Sequence, residues 1–287
     1  MSWTNYHTHT RYCDGTDEPE NYVKAAIQAD VVKLGFSAHG PLSFENEWSI
    51  RNKFDLDAYC LEIRKLGEKY KDTIEINLAL EMDYIPGKTE KFSTIKKRLK
   101  LDYTLGSIHL VSKENTDGYW FIDGPAKNFD NGLQKIFNFN IKEAVAHYFR
   151  QSMEMIDKEK PDIIGHMDKI KMNNRGKYFL ETDPWYKKLI TELLTHIKEK
   201  GTIVEINTRG IYKNRFSGLF PDIWIIKYCV KNKIPLMLNS DAHSPEEITG
   251  YFRETSILLK YIGVNTLTIR DNSAWQSVGF DESGYQV

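Results

Sequence analysis

Six of the chain's eight histidines fall at, or just past, the C-terminal end of a stretch that reads as a β-strand. His7 and His9 close the first such stretch, His39 the second (GFSAHG), His109 the fourth (LGSIHL), His166 the fifth (IIGHMD) and His243 the seventh (LNSDAH). Three carboxylates accompany them: Asp14 just after the first, Glu81 ending the third (LALEMD) and Asp241 ending the seventh. A single histidine at a strand end is ordinarily a packed or solvated residue. An HxH pair is a weak chelator by itself, although residues i and i+2 of a strand share a face. Nine such groups in one relative position point to a metal centre. Imidazole and carboxylate without thiolate suit Zn, Fe(II) or Mn(II) in a catalytic setting. Nine ligands exceed the needs of one ion, so two to three divalent ions are expected, with Glu81 able to bridge two. His147 (EAVAHYF) and His196 (LLTHIKE) lie inside helical patterns and read as ordinary helix residues.

A charge count suggests the reaction. Three divalent ions contribute +6, while Asp14, Glu81 and Asp241 contribute −3 and a bridging hydroxide −1. The remaining +2 complements a phosphate dianion, which favours phosphoryl hydrolysis over neutral amide hydrolysis.

The elements that must carry these groups alternate along the chain. Runs rich in Val, Ile, Leu and Tyr read as strands at Trp3–His7, Val32–Ser37, Thr73–Leu80, Tyr103–Ile108, Asp162–Gly165, Thr202–Ile206 and Ile234–Asn239. Helical patterns lie between them at Pro19–Ala29, Leu56–Tyr70, Ile141–Lys158, Tyr186–Lys200 and Pro221–Lys231. In Tyr186–Lys200, Leu189, Leu193, Leu194 and Ile197 recur at helical spacing and Gly201 follows as a stop. Strand–helix alternation implies mostly parallel strands with covering helices, and seven strands suggest an α/β barrel. In such a barrel all nine groups converge on the C-terminal face. The stretches Tyr84–Lys100 and Val111–Phe139 are too long for tight connections and are expected to be loops that shape or cover the site.

Bulk properties narrow the setting. The chain has 287 residues, 41% hydrophobic and 28% charged, which is ordinary globular composition and is read as one domain over 1–287. A net charge of −1 provides no global field to recruit nucleic acid. Cys13, Cys60 and Cys229 are odd in number and widely spaced, which suits a reducing compartment. No signal-like or membrane-spanning run is evident, so a soluble cytoplasmic protein is expected.

Taken in order, HTHTRYCDGTDEPENYVKAA, LGFSAHGP, LEMDY, GSIHLV, IGHMDKIK, EINTRG and NSDAH resemble the polymerase and histidinol phosphatase (PHP) family, and the Cys-Asp-Gly form is similar to its histidinol-phosphatase branch. The resemblance spans nearly the whole chain. It implies a distorted seven-stranded (β/α) TIM-like barrel with a trinuclear centre. His7, His9, Glu81 and Asp241 would hold the first ion, Glu81, His109 and His166 the second, and Asp14, His39 and His243 the third. The chain departs from the pattern in two places. Asp14 stands where some relatives have histidine, and AHG at His39 stands where many read DHA, which leaves the role of one nearby acid unfilled.

The implied reaction is hydrolysis of a phosphate monoester, L-histidinol phosphate, with a bridging hydroxide attacking phosphorus in line. A metal-bound water, Asp241 and His243 are candidates for protonating the leaving oxygen, although a ligand histidine cannot easily donate. Arg209, in EINTRG, is placed to clamp phosphate bidentately, with Asn207 two positions earlier on the same face. Glu114 is a candidate partner for the substrate ammonium. Arg11 and Arg215 are weaker phosphate candidates, and Trp48, Tyr119, Trp120 and Phe121 are candidates to close over the imidazole. Two rivals remain. A related phosphoesterase could take a phosphotyrosine protein or an oligonucleotide, although the basic run Lys96–Lys100 reads as a solvated helix face. A metal-binding barrel without activity is the other, and retention of all nine ligand-type residues weighs against it.

Overall fold

The computed structural model describes residues 2–114, 116 and 118–286. Seven parallel strands form its central sheet in sequential order: β1 (Trp3–Asn5), β2 (Val31–Phe36), β3 (Glu75–Asp83), β4 (Tyr103–Ser107), β7 (Ile163–Ile164), β8 (Ile203–Asn207) and β9 (Leu236–Asn239). Between β4 and β7 runs a small hairpin, β5 (Leu110–Val111) with β6 (Trp120–Phe121). The helices are α1 (Pro19–Gln28), α2 (Lys53–Tyr70), α3 (Phe92–Leu99), α4 (Ala126–Phe137), α5 (Ile141–Lys158), α6 (Lys171–Asn174), α7 (Pro184–Lys200), α8 (Arg209–Tyr212), α9 (Ile223–Asn232) and α10 (Phe252–Tyr261). A three-stranded antiparallel sheet ends the chain: β10 (Thr266–Asp271), β11 (Ala274–Asp281) and β12 (Gly284–Tyr285).

The sheet curls into a nearly closed barrel. Among the described residues no ladder joins β1 to β9, but beyond their carboxyl ends Ala242 N donates to His7 O at 3.1 Å and His9 N donates to Ala242 O at 2.8 Å. Lower in the seam, Tyr6 N donates to the Asn239 side-chain oxygen at 2.8 Å, and the Asn5 amide donates to Ser240 Oγ at 2.9 Å.

The two-residue period of a strand explains where the site lies. The inward faces read Ala79–Glu81–Asp83 on β3, Ile203–Glu205–Asn207 on β8, and Met237–Asn239–Asp241 on and beyond β9. Each run begins apolar and ends polar. The lower layer is a small core of Tyr6, Ala79, Tyr103, Leu105, Ile163, Ile203 and Met237. Gly35 makes room there, because a Cβ at that position would lie 2.0 Å from the Tyr103 hydroxyl oxygen. Trp275 of β11 closes the floor, with its ring 5.7 Å from both Tyr6 and Tyr103. The larger core lies between sheet and helices.

The expected strands and helices all appear, with ends shifted by a few residues. The two stretches expected to be loops are a correction. Tyr84–Lys100 contains α3 and Val111–Phe139 contains β6 and α4. Phe92, Ile95 and Leu99 form a narrow buried stripe among basic residues, so the helical period is masked. The basic run on α3 is partly ion-paired, Lys96 to Asp162 at 2.6 Å and Arg98 to Glu90 at 2.8 Å. The C-terminal α10 and β10–β12 were not anticipated. Among the described residues no helix is long and apolar enough to cross a membrane.

Candidate metal centre

All nine expected ligand residues meet above the barrel's apolar layer. His7 and His9 lie just past β1, and the chain then turns back so that Asp14 faces them. That turn needs Gly15, since a Cβ there would meet the backbone of Thr10 at 2.4 Å. The Asp14-Gly15 dipeptide therefore makes the turn and also delivers the carboxylate. His39 continues β2 and pairs with Glu81 as an isolated parallel bridge. Asp241 takes a left-handed backbone, φ 57°, a conformation aspartate tolerates better than most residues.

Glu81 is the hub. Its Oε2 lies 3.1 Å from His7 Nε2, 3.3 Å from His9 Nε2 and 3.2 Å from His39 Nδ1. Its Oε1 lies 3.1 Å from His166 Nε2 and 3.8 Å from His109 Nε2. Asp241 Oδ1 is 3.3 Å from His9 Nε2, 3.6 Å from His7 Nε2 and 3.4 Å from His243 Nδ1. On the outer side Asp14 meets His243 Nε2 at 3.2 Å and His39 Nε2 at 3.8 Å. The donor atoms fall into sets compatible with separate ions: His7, His9 and Glu81; Glu81, His109 and His166; His9, Asp14, His39 and His243. A fourth set, His39, Asp83 and His109, includes an acid absent from the expected ligands.

The close packing of these groups shifts their titration. Burial disfavours a charged His7, yet the carboxylates of Glu205, Asp241 and Glu81 outweigh that and push its pKa up to about 10. Burial pulls His39 down to about 4. Asp14 is held well below the usual carboxylate range, because His39 and His243 outweigh its desolvation. His7 thus keeps a proton at neutral pH while His39 does not, and metal binding at His7 must displace that proton.

Positioning groups surround the cluster. His7 Nδ1 lies 2.6 Å from Glu205 Oε1, and His109 Nδ1 lies 2.8 Å from Asp83 Oδ1, so each ring turns its Nε2 inward. Glu205 also accepts from His166 N at 2.8 Å and from the amides of Asn207 and Asn239 at 3.1 and 3.0 Å. Asp83 and Glu205 escaped the sequence reading, although each stands two residues from a residue that reading singled out, on the same inward face. Asp83, from β3, also supplies a carboxylate beside His39, while Ala38 packs in the apolar core.

The residues expected to touch substrate fare unevenly. Asn207 spends its amide on Glu205 and on Asp241 Oδ2, 3.1 Å each, and its oxygen accepts from Arg209 N at 2.9 Å. It braces Asp241. Arg209 is buried, and its NH1 donates to Glu247 at 3.0 Å and to Asp241 O at 2.9 Å. Its side chain still lines a small cavity beside Asp241, together with Lys169 and Arg215. Glu114 is exposed in the turn after β5 and forms no ion pair among the described residues. Arg11 is exposed and pairs with Glu18 at 2.5 Å. Trp48 stacks on Phe121 at 5.1 Å and points its Nε1 to Asp83 at 3.3 Å, at the rim of the cluster, and Phe44 stacks on Tyr119 at 5.5 Å. Trp120 is fully buried against Phe129 and Phe137 and packs the hairpin. His147 lies on α5 and His196 on α7, where it pairs with Asp157 at 2.9 Å, both away from the cluster.

A parallel α/β barrel with a histidine–carboxylate cluster at the carboxyl ends of its strands places the chain among barrel proteins that carry their functional site at that face. The sequence profile of the PHP domain matches residues 5–209, and the chain belongs to that family. It is 27% identical to the "Probable histidinol-phosphatase" of Deinococcus radiodurans, over 92% of this chain and 95% of that one. It is 24% identical to the histidinol-phosphatase of Bacillus subtilis, over 86% and 96% respectively. The fold is similar to that of histidinol phosphate phosphatase from Lactococcus lactis, solved with Zn, L-histidinol and phosphate (TM-score 0.62, 18% identity, 100% of this chain and 99% of that one).

Proposed function

We propose that this chain is a metal-dependent phosphomonoesterase that hydrolyses L-histidinol phosphate to L-histidinol and phosphate. The observation that carries the reading is the convergence of three adjoining ligand sets, two of which share the carboxylate of Glu81, in a chain similar over nearly its whole length to histidinol-phosphatases.

The site fits divalent ions on its own chemistry. Among the described residues, buried His9 Nε2 and Glu81 Oε1 meet only other ligand groups and form no hydrogen bond of good geometry, which leaves their lone pairs for a cation. His7, His9, Glu81 and Asp241 would hold one ion, Glu81, His109 and His166 a second, and Asp14, His39 and His243 a third. When bound, such ions activate water near neutral pH and neutralise phosphoryl charge. The protein's own part is preorganisation. Glu205 and Asp83 fix the rings of His7 and His109. Asn207 holds Asp241, and Glu247 holds both the His243 backbone N–H, at 2.8 Å, and Arg209. Asp241 Oδ1 faces three imidazoles and Oδ2 takes the Asn207 amide. It therefore serves better as a ligand than as a proton donor, and the same holds for His243, whose Nε2 faces Asp14 at 3.2 Å and whose Nδ1 lies 3.0 Å from Asp241 O.

The positioning acids also revise the charge count. With Asp83 and Glu205 included, five carboxylates face the site, and three divalent ions with the same hydroxide would leave 0 rather than +2. A phosphate dianion then needs protein cations as well, and Arg209 is one. The whole chain acts as one unit, since β9, Asp241 and His243 follow the matched segment and complete the barrel.

The test is steady-state kinetics of metal-loaded protein on L-histidinol phosphate, an aryl phosphate, a phosphotyrosine peptide and single-stranded oligonucleotides, before and after chelation. L-histidinol phosphate should show the highest kcat/KM, and activity should vanish on chelation and return on repletion. A rate on L-histidinol phosphate no better than on the aryl phosphate would reject the substrate, and fewer than two ions per chain would reject the cluster.

A further inference from the structure

An imidazole that binds a metal through one nitrogen needs a partner on the other, and that partner fixes the ring. For His7 the partner is Glu205, and for His109 it is Asp83. His9 is fully buried and turns Nε2 inward, 3.3 Å from both Glu81 Oε2 and Asp241 Oδ1. Its outer nitrogen, Nδ1, lies 3.4 Å from the sulfur of half-buried Cys13, within hydrogen-bonding reach for that element. Asp14 Oδ1 also approaches Nδ1, at 3.5 Å, but that carboxylate faces His243 Nε2 at 3.2 Å and joins His39 and His243 in a ligand set. Cys13 belongs to no ligand set among the described residues.

The turn after β1 delivers the thiol. Cys13 N donates to Thr10 O at 2.9 Å and Gly15 N donates to the same oxygen at 3.1 Å, so position 13 folds back over position 9. Tyr12 pins the turn to α2, with its ring 5.7 Å from that of Tyr59 and its hydroxyl donating to Glu62 at 2.6 Å. Cys60 and Cys229, by contrast, are buried in the apolar core between sheet and helices. An acceptor without formal charge suits position 13. Five carboxylates already balance three divalent ions and a hydroxide, so a sixth would make the site net negative and oppose a phosphate dianion. A thiol group can accept an N–H without adding charge.

We propose that Cys13 is the positioning residue of His9: its sulfur accepts the Nδ1 hydrogen, fixes the tautomer and holds Nε2 toward Glu81 and Asp241 for the first ion. The assignment rests on the metal reading of the cluster, and it keeps the sulfur off the ions themselves.

The test reads metal rather than turnover. Metal-loaded full-length wild type, Cys13→Ser, Cys13→Ala and Cys13→Val are titrated with a chelator, metal content is determined at each step, and the melting point of each metal-free protein is taken. Serine keeps an acceptor, whereas alanine and valine keep only apolar volume. Cys13→Ala and Cys13→Val should release one ion at about tenfold lower chelator concentration, the low end for such partners because sulfur is a weak acceptor. Cys13→Ser should lie closer to wild type, and the metal-free melting points should stay within about 4 °C of one another. Cobalt(II)-loaded wild type should lack a thiolate-to-metal charge-transfer band. Wild-type chelator midpoints in both Cys13→Ala and Cys13→Val would overturn the assignment, as would a serine variant that falls as far as alanine. A midpoint that merely tracks the melting point across the variants would reduce Cys13 to packing, and a charge-transfer band would make its sulfur a ligand; either result overturns the proposal. Wild type holding fewer than two ions would sink the metal reading and this assignment together, whereas ions held equally well by wild type and every variant would sink the assignment alone.

Discussion

Replacing Glu205 by glutamine changes almost no volume and removes one charge, which makes it a sharp probe of how the centre is held. Glu205 is fully buried. Its two oxygens accept from four donors: the His7 ring and the Asn239 amide on Oε1, and His166 N and the Asn207 amide on Oε2. A glutamine amide offers one oxygen and one NH2. Whichever way it is placed, two donors lose their acceptor and confront another donor. A buried hydrogen bond to a charged group contributes about 1.5–3 kcal/mol, so the loss amounts to about 3–6 kcal/mol before relaxation. That is a large part of a typical 5–15 kcal/mol total. The His7 ring also loses the group that fixes its orientation, and such partners typically carry about 10- to 100-fold in metal affinity. Glu205→Gln should therefore melt roughly 10 °C below wild type and release metal at about 10- to 100-fold lower chelator concentration. Calorimetric scanning and elemental analysis across a chelator series read the two effects. A variant with wild-type chelator midpoint and a melting point within about 2 °C would refute the positioning role.

Three further outcomes are expected. His9→Ala should lower kcat/KM on L-histidinol phosphate by orders of magnitude, while His147→Ala and His196→Ala, on helices away from the cluster, should stay within about threefold, all read by steady-state kinetics. Glu181 titrates high, at about 7, because burial, the nearby Asp222 and the Asp168 charge outweigh the attraction of Lys171. A folded pKa above the unfolded one stabilises at low pH, and that contribution disappears as pH rises through about 7. The denaturant midpoint of wild type relative to Glu181→Gln should thus fall between pH 5 and pH 8, and a constant gap would count against it. Trp275→Ala should destabilise the chain by about 2–4 kcal/mol in urea while leaving metal content unchanged, since the ring closes the floor of the barrel on the side opposite the cluster.

The seven strands were legible because each is an apolar run and each has a polar stop. The ligands were legible because imidazoles and carboxylates recur at those stops. Helix α3 was hidden by few apolar positions among charged ones; α4, with Phe129, Leu133, Ile136 and Phe137 at helical spacing, was passed over, and the terminal sheet has a largely exposed β11 and no chemistry to draw the eye. Asp83 and Glu205 were within reach of the alternation rule, but an acid near a histidine has no sequence mark that separates ligand from support.

The sequence by itself determined that Glu81, Asp14, Asp241 and six histidines would share one end of a parallel barrel, since strand polarity and a period of two leave them no other place. Only the tertiary structure decided what holds them. It turned His7 and His109 through Glu205 and Asp83, and committed Asn207 to Asp241. It also tied Arg209 to Glu247 and brought Lys169 to the same cavity through Asp123. These pairings join β3 to β4, β8 to the segment after β1, and the hairpin to the segment after β7. Distances across the barrel decide them, and those depend on how far each strand slides past its neighbours rather than on any local pattern in the chain.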